Sequence, residues 1–370
     1  MMTNPTSINQ QNFVRKTHLY TPENPNIQYS GRIDFANPSA PRFSAPGVTI
    51  QARFWGVSAV VLMDDQYRYD VNRNFYDVLI DGQLVLKLGM QKPLRRYSVA
   101  RGLPDGAHTI SVVKRTEANI GCGTFLGFEF EGEILAAPAK PARRIEFIGD
   151  SISCGAGNEA VNESPECAEE GWGQPYGNAR LAFGPIMAQN LGAAYHLTTV
   201  AGIGLVRNYS FAYDPRPMPA VYDLLFVEQL DSPLWEHTRF IPDAVVIALG
   251  TNDFSPGDSQ RPVLPQDVFV RAYIAFIQKL RAYYPEAHIF CISSSMLNDG
   301  WPEATNQFAT DQKQSLTKVV DELNKQGDAK IHKFFVSNFA GTGCGTHPSV
   351  EQHHDLAREL EPFVARIMGW

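Results

Sequence analysis

The stretch IEFIGDSISCGAGNE, Ile145 to Glu159, reads as an apolar strand that runs straight into Gly149-Asp150-Ser151. A serine at the carboxyl end of a buried strand has two ordinary explanations. It caps a helix that follows, or it is a nucleophile held at the edge of a sheet. The residue alone does not choose between them, because Ser153 breaks the strand-turn signature G-x-S-x-G at its last position. Any partners have to come from elsewhere in the chain.

Downstream, apolar runs alternate with helical patterns. Strands are expected at RIEFIGD, YHLTTVA, DAVVIALG, HIFCISSS and KIHKFFVSN. Helical spacing is clearest in DVFVRAYIAFIQKLRAYY, where Val268, Ala272, Ala275, Phe276 and Leu280 fall near one face. LAFGPIMAQNLG, TDQKQSLTKVVDELNKQG and SVEQHHDLARELEPFVARIM fit further helices. Continuous apolar strands between helices predict a parallel sheet covered on both faces. Its functional groups are then expected at the carboxyl ends of the strands.

Upstream the character differs. LAAPAKPARR, Leu135 to Arg144, reads as a linker, and before it come VTIQARFWG, SAVVLMDD, NFYDVLIDGQLVLKLG, RRYSVARG, HTISVVKRTE and FLGFEFEGEIL. Asp81-Gly82 is a hairpin signal, since a tight turn needs positive φ, and LPDGAHT reads as another turn. Short strands without helices predict an all-β, jelly-roll-like sandwich. The chain of 370 residues is therefore divided into an N-terminal arm (1–25), a β-sandwich (26–136), a linker (137–144) and an α/β domain (145–370).

Bulk composition excludes several functions. With 44% hydrophobic and 19% charged residues the chain is not generally disordered. A net charge of −7 with no basic block argues against nucleic acid or an anionic membrane as partner. No apolar run is long enough to span a bilayer, and the start, MMTNPTSINQQNFVRK, shows no secretory apolar region. The five cysteines include no CxxC pair, which argues against zinc; a single bridge such as Cys154–Cys167 is open to the chain in an oxidising compartment, and the sequence does not fix the disulfide state.

Polar residues recur at the predicted strand ends. TVAGIGLVRN offers Gly202 and Gly204, whose backbone N–H groups suit an oxyanion, or form a plain turn. In VVIALGTNDFS, Asn252 can donate to an oxyanion or close an Asx-turn. In GTGCGTHPSVEQHHDLA, His347 precedes a proline that holds it extended, where it can act as general base on Ser151. His353 and His354 compete but fall within the helix. A metal grouping of Cys344, His347, His353 and His354 lacks recognised ligand spacing.

The ordered set G-D-S, Gly, G-x-N-D and a late H-P resembles the SGNH (GDSL-type) hydrolases over roughly residues 143–370. The resemblance implies a flavodoxin-like αβα fold, Ser151 and His347 as catalytic residues, and an oxyanion hole of Ser151, Gly204 and Asn252. With a β-sandwich in front, and with GDSISCGAG, AGIGLVRN and HPSVEQH, the chain is most similar to carbohydrate esterase family two. That likeness implies removal of O-acetyl groups from xylan or glucomannan, a secreted or periplasmic site, a structural His353 and no cofactor. Without a visible signal, a cytoplasmic location stays open. Trp301 and Trp172 are the candidate aromatic platforms for sugar, with Arg207 and Asn208 facing the site or capping a helix. An aspartate two or three residues before the histidine is missing, since Cys344 and Gly345 stand there. The choice is then a Ser–His dyad oriented by a backbone carbonyl, or an acid from elsewhere. Competing readings are an SGNH lipase, thioesterase or other esterase, and a carbohydrate-binding protein with a degenerate hydrolase domain.

Overall fold

The structure, a computed structural model, describes residues 16–68, 72–168, 174–209, 215–256 and 261–370. Its first half is a single antiparallel sheet of eight strands: β1 (Thr17–Tyr20), β2 (Ile27–Ser30), β3 (Arg42–Phe43), β4 (Thr49–Asp65), β5 (Phe75–Ile80), β6 (Gln83–Gly89), β7 (Arg96–Lys114) and β8 (Gly123–Leu135). The order is β1-β8-β4-β7-β5-β6, with β2 added to β4 and β3 to β8. Inward residues meet in one core, where Phe54 stacks on Phe130 at 4.2 Å between ring centroids. Asp81 and Gly82 both have positive φ, 51° and 78°, and close the β5–β6 hairpin as expected.

Two sequence expectations change here. VTIQARFWG and SAVVLMDD belong to one strand, β4, and RRYSVARG and HTISVVKRTE to another, β7. LPDGAHT is therefore not a hairpin turn. The β4–β7 register shifts between Gly56–Gly106 and Ser58–Arg101, so the extra residues bulge while both strands continue.

The second half is a parallel sheet of β9 (Arg143–Gly149), β10 (Ala193–Thr199), β11 (Ala244–Ala248), β12 (His288–Ile292) and β13 (Ile331–Phe334). The order is β10-β9-β11-β12-β13, and every pair is parallel. Helices α1 (Phe183–Asn190) and α4 (Val350–Met368) pack on one face, α2 (Gln266–Tyr283) and α3 (Phe308–Lys325) on the other. Alternate residues of β11 serve the two layers, Ala244 and Val246 one, Val245 and Ile247 the other. The buried face of α2 is Phe269, Tyr273, Phe276, Ile277 and Leu280; Ala275, expected inside, is exposed. The large rings set the helix rotation because they remove more apolar area from water than alanine does. Strand order reverses between β9 and β11, and ligand crevices form at such a switch point.

Two charged anchors join the halves. Arg32, 1% exposed, enters the second half and donates to the carbonyls of Tyr222 and Leu224 at 2.6 Å. Asp77, on β5, takes hydrogen bonds from Arg115 and, at 2.6 Å, from Arg180 Nε. Arg115 also bonds Glu159, eight residues beyond Ser151. Burial alone would raise the Asp77 pKa, but Arg115 and Arg180 overcome it and hold the carboxyl below its ordinary range. Its stabilising contribution is thus complete above the unfolded value near ~4 and is lost as pH falls through the lower folded value. Asp77→Asn removes the carboxylate that Arg115 and Arg180 share, leaves Glu159 as the remaining partner of Arg115, and should cost about 1–3 kcal/mol in denaturant unfolding at neutral pH.

Candidate active site

Asp150, wholly buried beyond β9, closes an Asx-type turn, its Oδ1 accepting the Ile152 N–H at 3.0 Å. Residues 151–159 continue as turns, and the next helical turn is Pro165–Ala168. No helix begins at Ser151. Asp150 does the local capping, and burial pushes its carboxyl up to about 7 against hydrogen bonds from Ile152 and Thr251.

The Ser151 Oγ lies 2.8 Å from His347 Nε2, and His347 Nδ1 lies 2.9 Å from the Cys344 carbonyl oxygen. A carbonyl only accepts, so Nδ1 carries the proton and Nε2 turns its lone pair toward the serine hydroxyl. Burial holds the imidazole below its usual pKa, against the upward pull of the Cys344 and Gly345 backbone. His347 is extended, φ −72° and ψ 161°, as Pro348 demands. Immediately after it a capping box starts α4: Ser349 Oγ accepts the Gln352 N–H, and Gln352 Oε1 accepts the Ser349 N–H at 3.0 Å.

Cys344 is itself tied to the segment that follows Ser151. It is disulfide-bonded to Cys167, and its N–H donates to the Gly157 carbonyl at 3.0 Å. A Cβ on Gly157 would fall 2.5 Å from the Cys344 Cβ, so only glycine lets these segments meet. Of the bridges that the sequence leaves open, Cys154–Cys167 does not form: Cys154 is a buried free thiol, and the fold brings Cys167 to the histidine loop instead. The same bond removes Cys344 from the metal grouping. His353 is buried in α4, accepts the Phe183 N–H at 3.2 Å and is pushed down to about 3 by burial, while His354 is exposed.

Position 345 explains the missing acid. Gly345 has φ 60°, and a Cβ built there would lie 3.5 Å from His347 Nδ1. A carboxylate at 345 would face the imidazole; with glycine there, the Cys344 carbonyl takes that place.

Beyond β10, the backbone over 200–208 has no regular structure and is held by one carboxylate. Asp253 accepts the N–H groups of Leu205, Val206 and Arg207 at 2.8, 2.7 and 3.0 Å. A Cβ on Gly204 would fall 2.0 Å from the Arg207 oxygen, so this tight return requires glycine. The Gly204 N–H donates to Asn208 Oδ1 at 2.9 Å. Asn252 sits in the single helical turn Thr251–Phe254 and donates from Nδ2 to the Ile203 carbonyl at 2.8 Å. Its other Nδ2 contact, 3.4 Å to Asp150 Oδ2, is long.

Asp253 and Arg261 have roles that sequence reasoning did not assign. Arg261 donates to the Asn252 carbonyl and binds the Asn208 carbonyl at 2.5 Å. Asp253 was within reach of such reasoning, since it follows Asn252 directly; Arg261 carries no motif. Arg207 is directed at backbone, its Nε on the Asp253 carbonyl at 2.9 Å and Nη1 on that of Pro262 at 2.8 Å. Trp301 stands 62% exposed on the loop after β12, and Trp172 lies outside the described residues. A shallow pocket opens beside the 200–208 segment, lined by Arg68 and Asn119 from the first half and by Val200, Ala201, Ile203 and Asn208 from the second.

Residues 29–138 match the carbohydrate esterase 2 N-terminal family, and residues 147–354 match the GDSL-like lipase/acylhydrolase family. The chain is 33% identical to cellulase/esterase CelE of Acetivibrio thermocellus over 94% of its own length, and spans 40% of the length of that protein. It is 27% identical to an acetylxylan esterase/glucomannan deacetylase of Cellvibrio japonicus, over 98% of this chain and 94% of that one. A family two carbohydrate esterase from Clostridium thermocellum, solved in complex with cellohexaose, superposes with a TM-score of 0.83 at 32% identity, covering 93% of this chain and 99% of the other.

Gly345→Asp should bring a carboxylate onto Nδ1 and raise the His347 pKa, an upward shift that NMR titration of the imidazole would read.

Proposed function

Because the chain belongs to the family two carbohydrate esterases and carries their GDSL-like acylhydrolase domain, we propose that it removes O-acetyl groups from plant polysaccharides such as xylan and glucomannan, through an acetyl-serine intermediate. The observation that carries this reading is the 2.8 Å contact of Ser151 Oγ with a His347 whose tautomer is set by the Cys344 carbonyl. In the first step His347 Nε2 takes the Ser151 proton as Oγ attacks the acetyl carbonyl carbon. The oxyanion accepts hydrogen bonds from the Ser151 N–H, the Asn252 amide and the Gly204 N–H, which exchanges Asn208 Oδ1 for the substrate oxygen. Collapse expels the sugar oxygen, protonated by the imidazolium. Water, deprotonated by the same histidine, then attacks the acetyl-serine and releases acetate.

In this reading the exposed ring of Trp301 stacks on a sugar, and Arg68 and Asn119 of the first half line a pocket beside the 200–208 segment. The relatives that act on, or are bound to, carbohydrate support a polysaccharide substrate. A polymeric substrate and the Cys167–Cys344 bridge favour an oxidising compartment outside the cytoplasm. No helix among the described residues is long and apolar enough to cross a membrane.

Acetate release from acetylated xylan and glucomannan tests the proposal. Ser151→Ala should abolish it, and full activity in that variant would end this reading. Asn252→Ala should lower kcat by about 100-fold or more. Hydrolysis of p-nitrophenyl esters should fall steeply from acetate to longer acyl chains. The base must be neutral to act, and burial depresses its pKa, so kcat/KM should fall with acid only below the ordinary histidine value of about 6.5.

A further inference from the structure

We propose that the Cys167–Cys344 disulfide is a positioning element for His347, holding the Cys344 carbonyl where other active sites hold a carboxylate, and that its reduction switches turnover down. This rests on Ser151 and His347 as the catalytic pair.

The loop does not hold this shape by local preference. Gly345 and Thr346 are consecutive left-handed residues, φ 60° and 61°, and a β-branched threonine is disfavoured there. Left to itself the turn would relax, and the Cys344 carbonyl would swing away from Nδ1. Within the loop the His347 N–H donates to the Cys344 carbonyl at 3.2 Å and the Gly343 N–H to the His347 carbonyl at 2.8 Å, and Gln352 holds Thr342 and Ala340. The further ties to Thr346, Thr342 and Cys344 come from the segment after the nucleophile. The Thr346 N–H donates to Asn162 Oδ1 at 3.2 Å, the Asn162 N–H to the Thr342 carbonyl at 2.8 Å, and the Cys344 N–H to the Gly157 carbonyl at 3.0 Å. The covalent tie is the disulfide, which joins positions 177 residues apart. It acts on the residue whose carbonyl receives the Nδ1 proton, so disturbance of the bridge passes directly to the imidazole. A carboxylate has two equivalent oxygens and a full charge with which to find an imidazole. A single carbonyl dipole has neither, and depends on being held.

Cys344 is buried, whereas Cys167 is half-buried on its short helical turn, so an external thiol reaches the bridge at the Cys167 sulfur. With dithiothreitol, each sulfur of the bridge gains one electron and one proton, and the reagent leaves as its cyclic disulfide.

The experiment compares Cys167→Ala with the native enzyme on p-nitrophenyl acetate. The expected result is a fall in kcat of about 10- to 100-fold with little change in KM. Adding Gly345→Asp to Cys167→Ala should restore most of that loss, because the carboxylate replaces the displaced carbonyl. A purely structural bridge predicts no such rescue. Unchanged kcat in folded Cys167→Ala, or failure of Gly345→Asp to recover it, overturns the proposal. If Cys167→Ala does not fold, dithiothreitol is titrated against the native protein. Loss of turnover ahead of the near-ultraviolet circular dichroism supports positioning; loss of both together overturns it. Neither result bears on Ser151, whose removal is read separately.

Discussion

Strand β9 lies beside β11 with Gly149 opposite Ala248, and the site depends on that register. The approach is so close that a Cβ on Gly149 would fall 2.1 Å from Ser153 Oγ and 3.2 Å from the Ala248 oxygen. Glycine at this point lets the chain turn at once into Asp150 and Ser151, while β11 passes through Gly250 into Asn252. A register slip of one residue would turn the apolar side chains of β9 to the opposite layer and carry the serine away from the amide. Both helix layers enforce the register, since each takes alternate residues of the same strands.

The electrostatics of the site are unusual for its task. Asp150 and Asp253 are both raised by burial, and neither is aimed at His347; one closes the serine turn and the other gathers three backbone N–H groups. Carboxylates therefore build the backbone around Ser151 and Asn252, while a neutral carbonyl orients His347. An imidazolium formed against a dipole gains less than one formed against a full charge. The arrangement trades stabilisation of the charged histidine for dependence on loop geometry, which is where the ties to residues 157–167 act.

What could be read from the sequence follows the range of the interactions. The parallel sheet, the Asp81-Gly82 hairpin and the extended His347 before Pro348 depend on neighbours in the chain, and periodicity or a single dipeptide reveals them. The alignment of Ser151 with His347 also showed, because each lies just past a recognisable element. Position 345 was visible as a gap but not as a geometry. The rest required knowing which distant segments meet. LPDGAHT carries turn residues whether it reverses the chain or bulges from a long strand, and only pairing with β4 decides. The partner of Cys167 is hidden for the same reason: Cys154 is nearer to it in sequence, but the fold buries Cys154 as a free thiol. Asp253 stands in the motif beside Asn252, but its action on three backbone N–H groups leaves no side-chain pattern, and Arg261 carries no motif at all.

The distance along the chain between Ser151 and His347, 196 residues, has a consequence for biosynthesis. At about 5–20 residues per second, a ribosome needs roughly 10–40 s to reach the histidine after making the serine. During that interval β9 and the Ser151 turn can form, but the histidine that meets Ser151 in the folded chain is not yet made. Cys167 is also made long before Cys344, and closing a short loop to Cys154 costs less entropy than waiting for the distant partner. In the folded chain Cys154 is a buried free thiol and Cys167 is joined to Cys344, so the pairing follows the tertiary contacts rather than the shorter loop.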